Sequence, residues 1–483
     1  MSDTPAIRWR LIVALLVLPP LACFGLDLSH AVVLSIFLSI IGLWLTEALP
    51  LPVTGLLVPV LSALYGVLPA SEAFNSFGSD ILFLFLACFL MSQAMDKYGF
   101  DKRIAYFLLG RCMPGTSFRN VNLVIGVASF ALSMWISNTS ATAIMAAISL
   151  GILTSLNDQV RDPMIRERMA TRLLLTVAFS ASIGGLATPV GSPPNLIALS
   201  LLSRQGITIS FIEWMAIGLP LSLLMLGALF LIMDRCFPLR DLSFPGIQIH
   251  FLSLLRAQGP LRGGELQIAI IFASTVALWV LPSTLVSLFP DSSLLQTINA
   301  RLSMSVVGLM GGIAAFCLPV TTASGLRPHL SWEETSKVEW GTLMLFGGGL
   351  TLGLLLDQGG VAHDIGQYLI QAELSNFLLF SAVVVVISIL TSEFASNTAA
   401  AAILIPIILG ATLGQGALAE DATLLVLAVT FAASFGFMLP VSTPPNAIVY
   451  GTGRVPAASM RRAGVYFDIL GALLIVGYLA LLR

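Results

Sequence analysis

The sequence predicts an all-α polytopic membrane protein, with about eleven transmembrane helices and two re-entrant hairpins arranged as inverted repeats. Three observations carry this reading. Composition is the first: 57% of residues are hydrophobic and 10% charged, with a mean hydropathy of +0.95. The second is length, because apolar runs able to cross a hydrocarbon core about 30 Å thick recur from end to end. In lipid each backbone polar group must be bonded within its own segment, so these runs are helices. The alternation of a membrane β-barrel strand is missing. The third is self-similarity, since two polar motifs each occur twice in the same order.

The elements follow in chain order. Arg8 and Arg10 precede an apolar run with no small-x-small cleavage site, so 11–25 reads as the first transmembrane helix and not as a removed signal. Crossings follow at 30–48, 52–68 and 81–97. The stretch 97–119 places Lys97, Lys102, Arg103, Arg111 and Arg119 among aromatics, and reads as an amphipathic helix on the lipid surface. Residues 120–155 are apolar on both sides of a Ser-Asn-Thr centre, which suits a hairpin that enters partway and returns. Crossings resume at 170–203, 212–234, 266–284, 302–320 and 337–358. A second hairpin covers 375–413, and the last crossings are 422–452 and 463–481.

The basic residues test this count. With the N-terminus in the cytoplasm and each hairpin returning to its own side, all of the 23 lysines and arginines except Arg204, Arg301 and Arg483 fall on the cytoplasmic side. Reading either hairpin as a full crossing inverts every later loop and destroys the bias.

The two halves then align. "SMWISNTSATAIMAAISLGI" (133–152) matches "SEFASNTAAAAILIPIILGA" (392–411), and "LATPVGSPPNLIAL" (186–199) matches "FMLPVSTPPNAIVY" (437–450). Inverted repeats with interrupted segments at corresponding positions mark the binding site of a transporter. The paired prolines remove backbone donors and hold the preceding residue out of the helical region, so a helix must break near Gly191–Ser192 and again at Ser442–Thr443. Such a break frees carbonyls at one helix end and N–H groups at the next start. Carbonyl, Ser, Thr and Asn oxygens suit a hard cation such as Na⁺; free N–H groups at a positive dipole end suit an anion. A helix cap and a plain kink would explain one such motif, but not four in two symmetric pairs.

At these residues the chain resembles the divalent anion–sodium symporter (DASS) family, the INDY-like di- and tricarboxylate transporters. The resemblance extends to "WLTEALPLPVTGLLVPVL" (44–61) and "VEWGTLMLFGGGLTLG" (338–353). It implies a homodimer in which a transport domain moves like an elevator against a scaffold. It divides the chain into scaffold helices with the amphipathic segment (1–119), a first transport part (120–234), a cytoplasmic linker (235–265), second scaffold helices (266–374) and a second transport part (375–483). One sodium site would use Ser133, Ser137, Asn138 and Gly191, the other Ser392, Ala395, Asn397 and Ser442. The substrate carboxylates would meet Asn138, Thr139, Ser192, Asn397, Thr398 and Thr443. No basic side chain stands in these motifs, which favours Na⁺ coupling over exchange. Pro406, where the first repeat has Ala147, is the one departure, and it bears on helix geometry after the tip.

The expected function is Na⁺-coupled import of a C4-dicarboxylate or citrate across a bacterial inner (plasma) membrane. Proton coupling, exchange, sulfate as substrate and an anion channel are the alternatives. Glu393, an acid at membrane depth, reads either as a coupling residue or as a partner for a backbone donor. Glu47 reads as a helix-end anchor, and Asp357 and Asp364 as solvated. His30, His250, His329 and His363 fall near span ends or in loops. Neither a GxSxG elbow, an HExxH helix nor a P-loop occurs, so an enzyme is not expected. The net charge of −2 points to no nucleic-acid partner. Five scattered cysteines show no metal or pairing pattern.

Overall fold

The computed structural model describes residues 9–22, 28–111, 117–157, 160–239, 242, 247–322, 325–361, 364, 376–412 and 419–483. His363, Cys23 and Cys112, with the side chain of His250, lie outside the described residues. The chain is helical almost throughout. The helices are α1 (Trp9–Ala22), α2 (Leu28–Thr46), α3 (Leu51–Leu64), α4 (Ala70–Asn75), α5 (Asp80–Tyr98), α6 (Phe100–Arg111), α7 (Phe118–Ser133) and α8 (Asn138–Asn157). Then come α9 (Pro163–Gly184), α10 (Pro193–Arg204), α11 (Phe211–Cys236), α12 (Ile247–Ala257), α13 (Gly263–Leu288), α14 (Ser293–Arg301) and α15 (Met304–Cys317). A two-stranded hairpin, β1 (Pro319–Thr322) with β2 (Gly325–Pro328), pairs Val320 with Arg327. The chain finishes with α16 (Trp340–Gln358), α17 (Phe377–Phe394), α18 (Asn397–Thr412), α19 (Ala422–Ala433), α20 (Pro444–Gly451) and α21 (Ala457–Leu482).

Every crossing read from the sequence falls on one of these helices or on a pair of them. Six described helical stretches are long and apolar enough to span a membrane, and one of these, α17, is a hairpin arm. The hairpins are α7–α8 and α17–α18. In each repeat the two arms pack on one another, and both pack on the first half of the broken helix behind them: α7 and α8 on α9, α17 and α18 on α19. The helix starts are fixed locally. Ser117 accepts the N–H of Asn120 at α7, and Asp162 that of Met164 at α9. Asn376 caps α17 through Leu378 and Leu379, and Ser210 with Glu213 forms a capping box at α11.

The breaks open earlier than the prolines alone predict. Helix α9 ends at Gly184, and α19 ends at Ala433. At the first of these ends a methyl on Gly184 would collide with the Phe130 carbonyl of α7. The hairpin backbone therefore sits directly on the helix end. The prolines still set the restart: Ser192 (φ −145°, ψ 141°) and Thr443 (φ −140°, ψ 148°) are both extended, as a residue before proline must be.

The repeats interlock. Helix α20 of the second repeat packs on α8 and α9, while α10 of the first packs on α18 and α19. Outside this block, α3 and α16 cross closely, where Gly55 would meet the Met344 carbonyl at 2.8 Å if it carried a methyl. Helix α12 lies within the linker and packs on α6. Arg103 of that amphipathic segment is paired within the protein, with Nε 2.5 Å and Nη2 2.7 Å from the two Glu265 oxygens.

Candidate transport site

Four helices begin at one cavity. Its volume is about 310 Å³, and its lining includes Asn138, Pro193, Asn397 and Pro444, the first residues of α8, α10, α18 and α20. All six residues expected to meet the substrate line it: Asn138, Thr139, Ser192, Asn397, Thr398 and Thr443. Of the expected sodium residues, Ser137, Asn138, Gly191 and Asn397 also line it. Ser133, Ser392, Ala395 and Ser442 are buried behind the tips. Apolar walls come from Phe85, Phe89, Val190 and Leu345. Among the described lining residues Glu339 is the only charged one, and it was not foreseen.

Behind each tip lies a cluster of oxygens. In the first, Ser133 Oγ is 2.5 Å from the Asn138 amide. With that amide turned so that its nitrogen faces its acceptors, it donates to the carbonyls of Ala181 (3.1 Å) and Gly191 (3.2 Å). The nitrogen thus stands where a cation would draw in the same oxygens. Gly185 leaves the room: a methyl there would lie 2.6 Å from the nearer Asn138 amide atom and 3.0 Å from the Gly191 oxygen. Ser137 Oγ accepts the N–H of Ser140 and lies 2.9 Å from Ser140 Oγ, so it finishes the tip.

The second cluster repeats the pattern. Ser392 Oγ lies 2.8 Å from Asn397 Oδ1 and 2.7 Å from the Ala433 carbonyl, and Asn397 Nδ2 donates to Ser434 at 3.3 Å. A methyl on Gly436 would meet Ser442 Cβ at 3.0 Å, Thr443 Cγ2 at 3.1 Å and the Ser392 carbonyl at 3.3 Å. Ala395 is extended at the end of α17, with its N–H bonded to the Thr391 carbonyl at 2.8 Å. Glu393 is wholly buried and takes the backbone-donor role, accepting from Met438 and Leu439.

The most regular feature was missed from sequence. The Asn of each Pro-Pro-Asn clamps the end of the preceding half-helix. Asn195 Nδ2 donates to Gly185 and Thr188, both at 2.8 Å, and Asn446 Nδ2 to Gly436 (2.8 Å) and Leu439 (3.0 Å). Both asparagines are fully buried. These bonds satisfy carbonyls that a mid-membrane break leaves without intrahelical partners. The signal was available, because the Asn recurs at the same spacing in both repeats. A hydroxyl also ties each break to its tip, Thr188 Oγ1 to the Met134 carbonyl (2.5 Å) and Ser442 Oγ to the Glu393 carbonyl (2.9 Å).

Ser192 and Thr443 occupy matching positions but differ in use. Thr443 Oγ1 caps α20 by accepting the N–H of Asn446, whereas the buried Ser192 Oγ has no partner among the described residues and faces the cavity. On one side the cavity ends at an aromatic stack. Trp135 of the tip stacks on Phe211 (6.1 Å, 13°), and Phe211 on Trp279 (5.1 Å, 13°). Phe211 and Trp279 also line a second groove of about 580 Å³.

Interlocked inverted repeats, with two hairpins and two broken helices closing on a central cavity, define a secondary transporter of the membrane. The family profile described as the sodium:sulfate symporter transmembrane region matches residues 6–482, and the chain belongs to that family, the DASS family of the sequence resemblance. It is 34% identical over 444 residues to an uncharacterized transporter of Methanocaldococcus jannaschii, covering 90% of each chain. It is 31% identical over 449 residues to the sodium-dependent dicarboxylate transporter SdcS of Staphylococcus saprophyticus, covering 92% of this chain and 84% of the relative. The SdcS of Staphylococcus aureus is 30% identical with the same coverage.

Proposed function

We propose that the chain is a sodium-coupled symporter that imports a divalent anion, a C4-dicarboxylate or citrate, by an elevator mechanism. The observation that carries this is the convergence of four helix N-termini on a cavity without a basic side chain among its described lining residues. Each N-terminus is worth about half a positive charge, so four supply roughly the two that a dianion needs. The oxygen clusters behind the tips add a place for one Na⁺ each, which gives the anion its countercharge and links the two cargoes. Apolar walls at Phe85 and Leu345 favour a carbon chain over sulfate, which would meet only the polar end.

The interlocked hairpins and broken helices form the moving block of a homodimer whose N-terminus is cytoplasmic. Its contacts with α16 are small and smooth. Gly349 faces Ala402, and Gly353 faces Pro406 and Leu201. The groove beyond the Trp135–Phe211–Trp279 stack supports a second point of access. The test is uptake of labelled succinate, citrate and sulfate into proteoliposomes. A Na⁺ gradient should drive saturable uptake and counterflow, and Asn138→Asp or Asn397→Asp should abolish both. Uptake driven by a pH gradient alone would overturn the sodium coupling, and the absence of counterflow would indicate a channel.

A further inference from the structure

Where Gly349 and Gly353 of α16 meet Ala402 and Pro406, the seam between block and scaffold is apolar. At the end of α10 it turns polar. Arg204, the last residue of α10, donates from Nη2 to Ser76 Oγ (3.1 Å) and from Nη1 to the Leu350 carbonyl of α16 (3.4 Å). Ser200, four residues earlier and so on the same face, has its hydroxyl 3.4 Å from that of Ser79. The partners of Arg204 form a fixed unit. Thr351 of α16 donates to the Ala73 carbonyl of α4 at 3.0 Å, and a methyl on Gly347 would collide with the Phe77 ring. The turn Ser76–Gly78 is thereby held against α16.

Arg204 is one of the three basic residues that the charge pattern leaves outside the cytoplasmic side. Another of them, Arg483, is paired with Asp421 at 2.9 Å, whereas Arg204 spends its donors on neutral oxygens across the seam. Ser76 and Ser200 are buried and Arg204 is exposed, so water can take up its donors when these bonds break. The bonds are nonetheless specific to one position of α10 along α16, because a slide of one helical turn, about 5.4 Å, carries Arg204 out of reach of both acceptors. We propose that Arg204 and Ser200 form a latch between the moving block and the scaffold, closed in this state and broken each time the block slides. The latch sets how long the block dwells in this state, not what it carries. This inference rests on the moving-block reading of the hairpins and broken helices.

The experiment uses the full-length protein in proteoliposomes, with its five cysteines replaced by serine and the pair Ser79→Cys and Ser200→Cys introduced. Oxidation should join the pair and stop succinate counterflow, and reduction should restore it. The pair can join only while the latch is closed, so its rate of joining reports the occupancy of that state. Arg204→Met keeps the apolar stem and removes the donors; it should lower the joining rate about fivefold and leave the melting curve unchanged. A joined protein that still exchanges succinate would overturn the moving block, and the latch with it. A pair that stops counterflow but joins at an unchanged rate in Arg204→Met, or more slowly only in a variant that has lost its melting transition, would overturn the latch alone. So would a pair that never joins. A reduced protein that does not exchange succinate would instead overturn the substrate reading, leaving the joining rate, which needs no transport, to decide the latch.

Discussion

Replacing Gly185 with Ala puts a methyl into the first oxygen cluster and should separate the two sodium sites by size of effect. The methyl would stand 2.6 Å from the nearer Asn138 amide atom and 3.0 Å from the Gly191 oxygen, against ordinary contacts of 3.4 Å or more. Asn138 must therefore retreat by about 0.8 Å, in a tip already closed by Ser133 and the Ala181 carbonyl. Overpacking of this kind costs about 1–3 kcal/mol, or roughly 5- to 150-fold in affinity for an ion held by the displaced oxygens. Gly436→Ala is the matched case, with nearest contacts of 3.0 and 3.1 Å to Ser442 Cβ and Thr443 Cγ2. A shift of a few tenths of an ångström relieves it, so its effect should stay within about fivefold. Gly227→Ala, where a methyl meets nothing within 4 Å, is the control. The assay is Na⁺ activation of uptake at fixed substrate, with a melting curve for each variant. Equal effects at Gly185 and Gly436, or no change in Na⁺ activation at Gly185 with the fold intact, would refute the assignment of the first cluster.

Three further outcomes follow from the same geometry. Asn195→Ala and Asn446→Ala each strip two buried helix-end carbonyls of their donor and should destabilise the protein by about 2–4 kcal/mol, read as lowered melting temperature. Ser192→Ala should leave stability unchanged and weaken anion binding about tenfold, because its hydroxyl has no partner among the described residues. Thr443→Ala should also cost about 1 kcal/mol of stability as a lost cap, and paired melting and binding curves distinguish the two. His329, buried in the connection between α15 and α16 beside Lys97 and Tyr98, has its pKa pushed below the usual imidazole value, by burial first and the Lys97 charge second. It is neutral when folded, so stability should be full above about pH 6.5 and fall as pH drops below that unfolded-state value. His329→Phe should flatten this dependence in melting curves between pH 5 and 8.

The sequence made the hairpins legible because Ser-Asn-Thr interrupts an apolar run twice, and the breaks because paired prolines leave the chain no helical option. The family resemblance named the six residues that line the cavity, in the motifs that the repeat had already marked in both halves. What the sequence concealed depends on contacts between segments far apart in the chain. The close approach of Phe130 in the hairpin to Gly184, at the end of α9, is one such contact. The partners of Asn195 and Asn446 are near in sequence, but their purpose shows only once the helix ends are seen to be buried. Arg103 read as a lipid-facing cation until Glu265, from another helix, appeared beside it. His329 read as a loop residue, although packing against Tyr98 buries it.

Equilibrium binding of a labelled dianion to the purified protein, in Na⁺ and in K⁺, bears most directly on the proposal that four helix starts and two cations share one anion in the central cavity. The account predicts saturable binding of one succinate per chain in Na⁺. It predicts at least a tenfold loss of affinity in K⁺ and no binding to Asn138→Asp in either. Equal affinity in the two salts, or binding that survives Asn138→Asp, would contradict it.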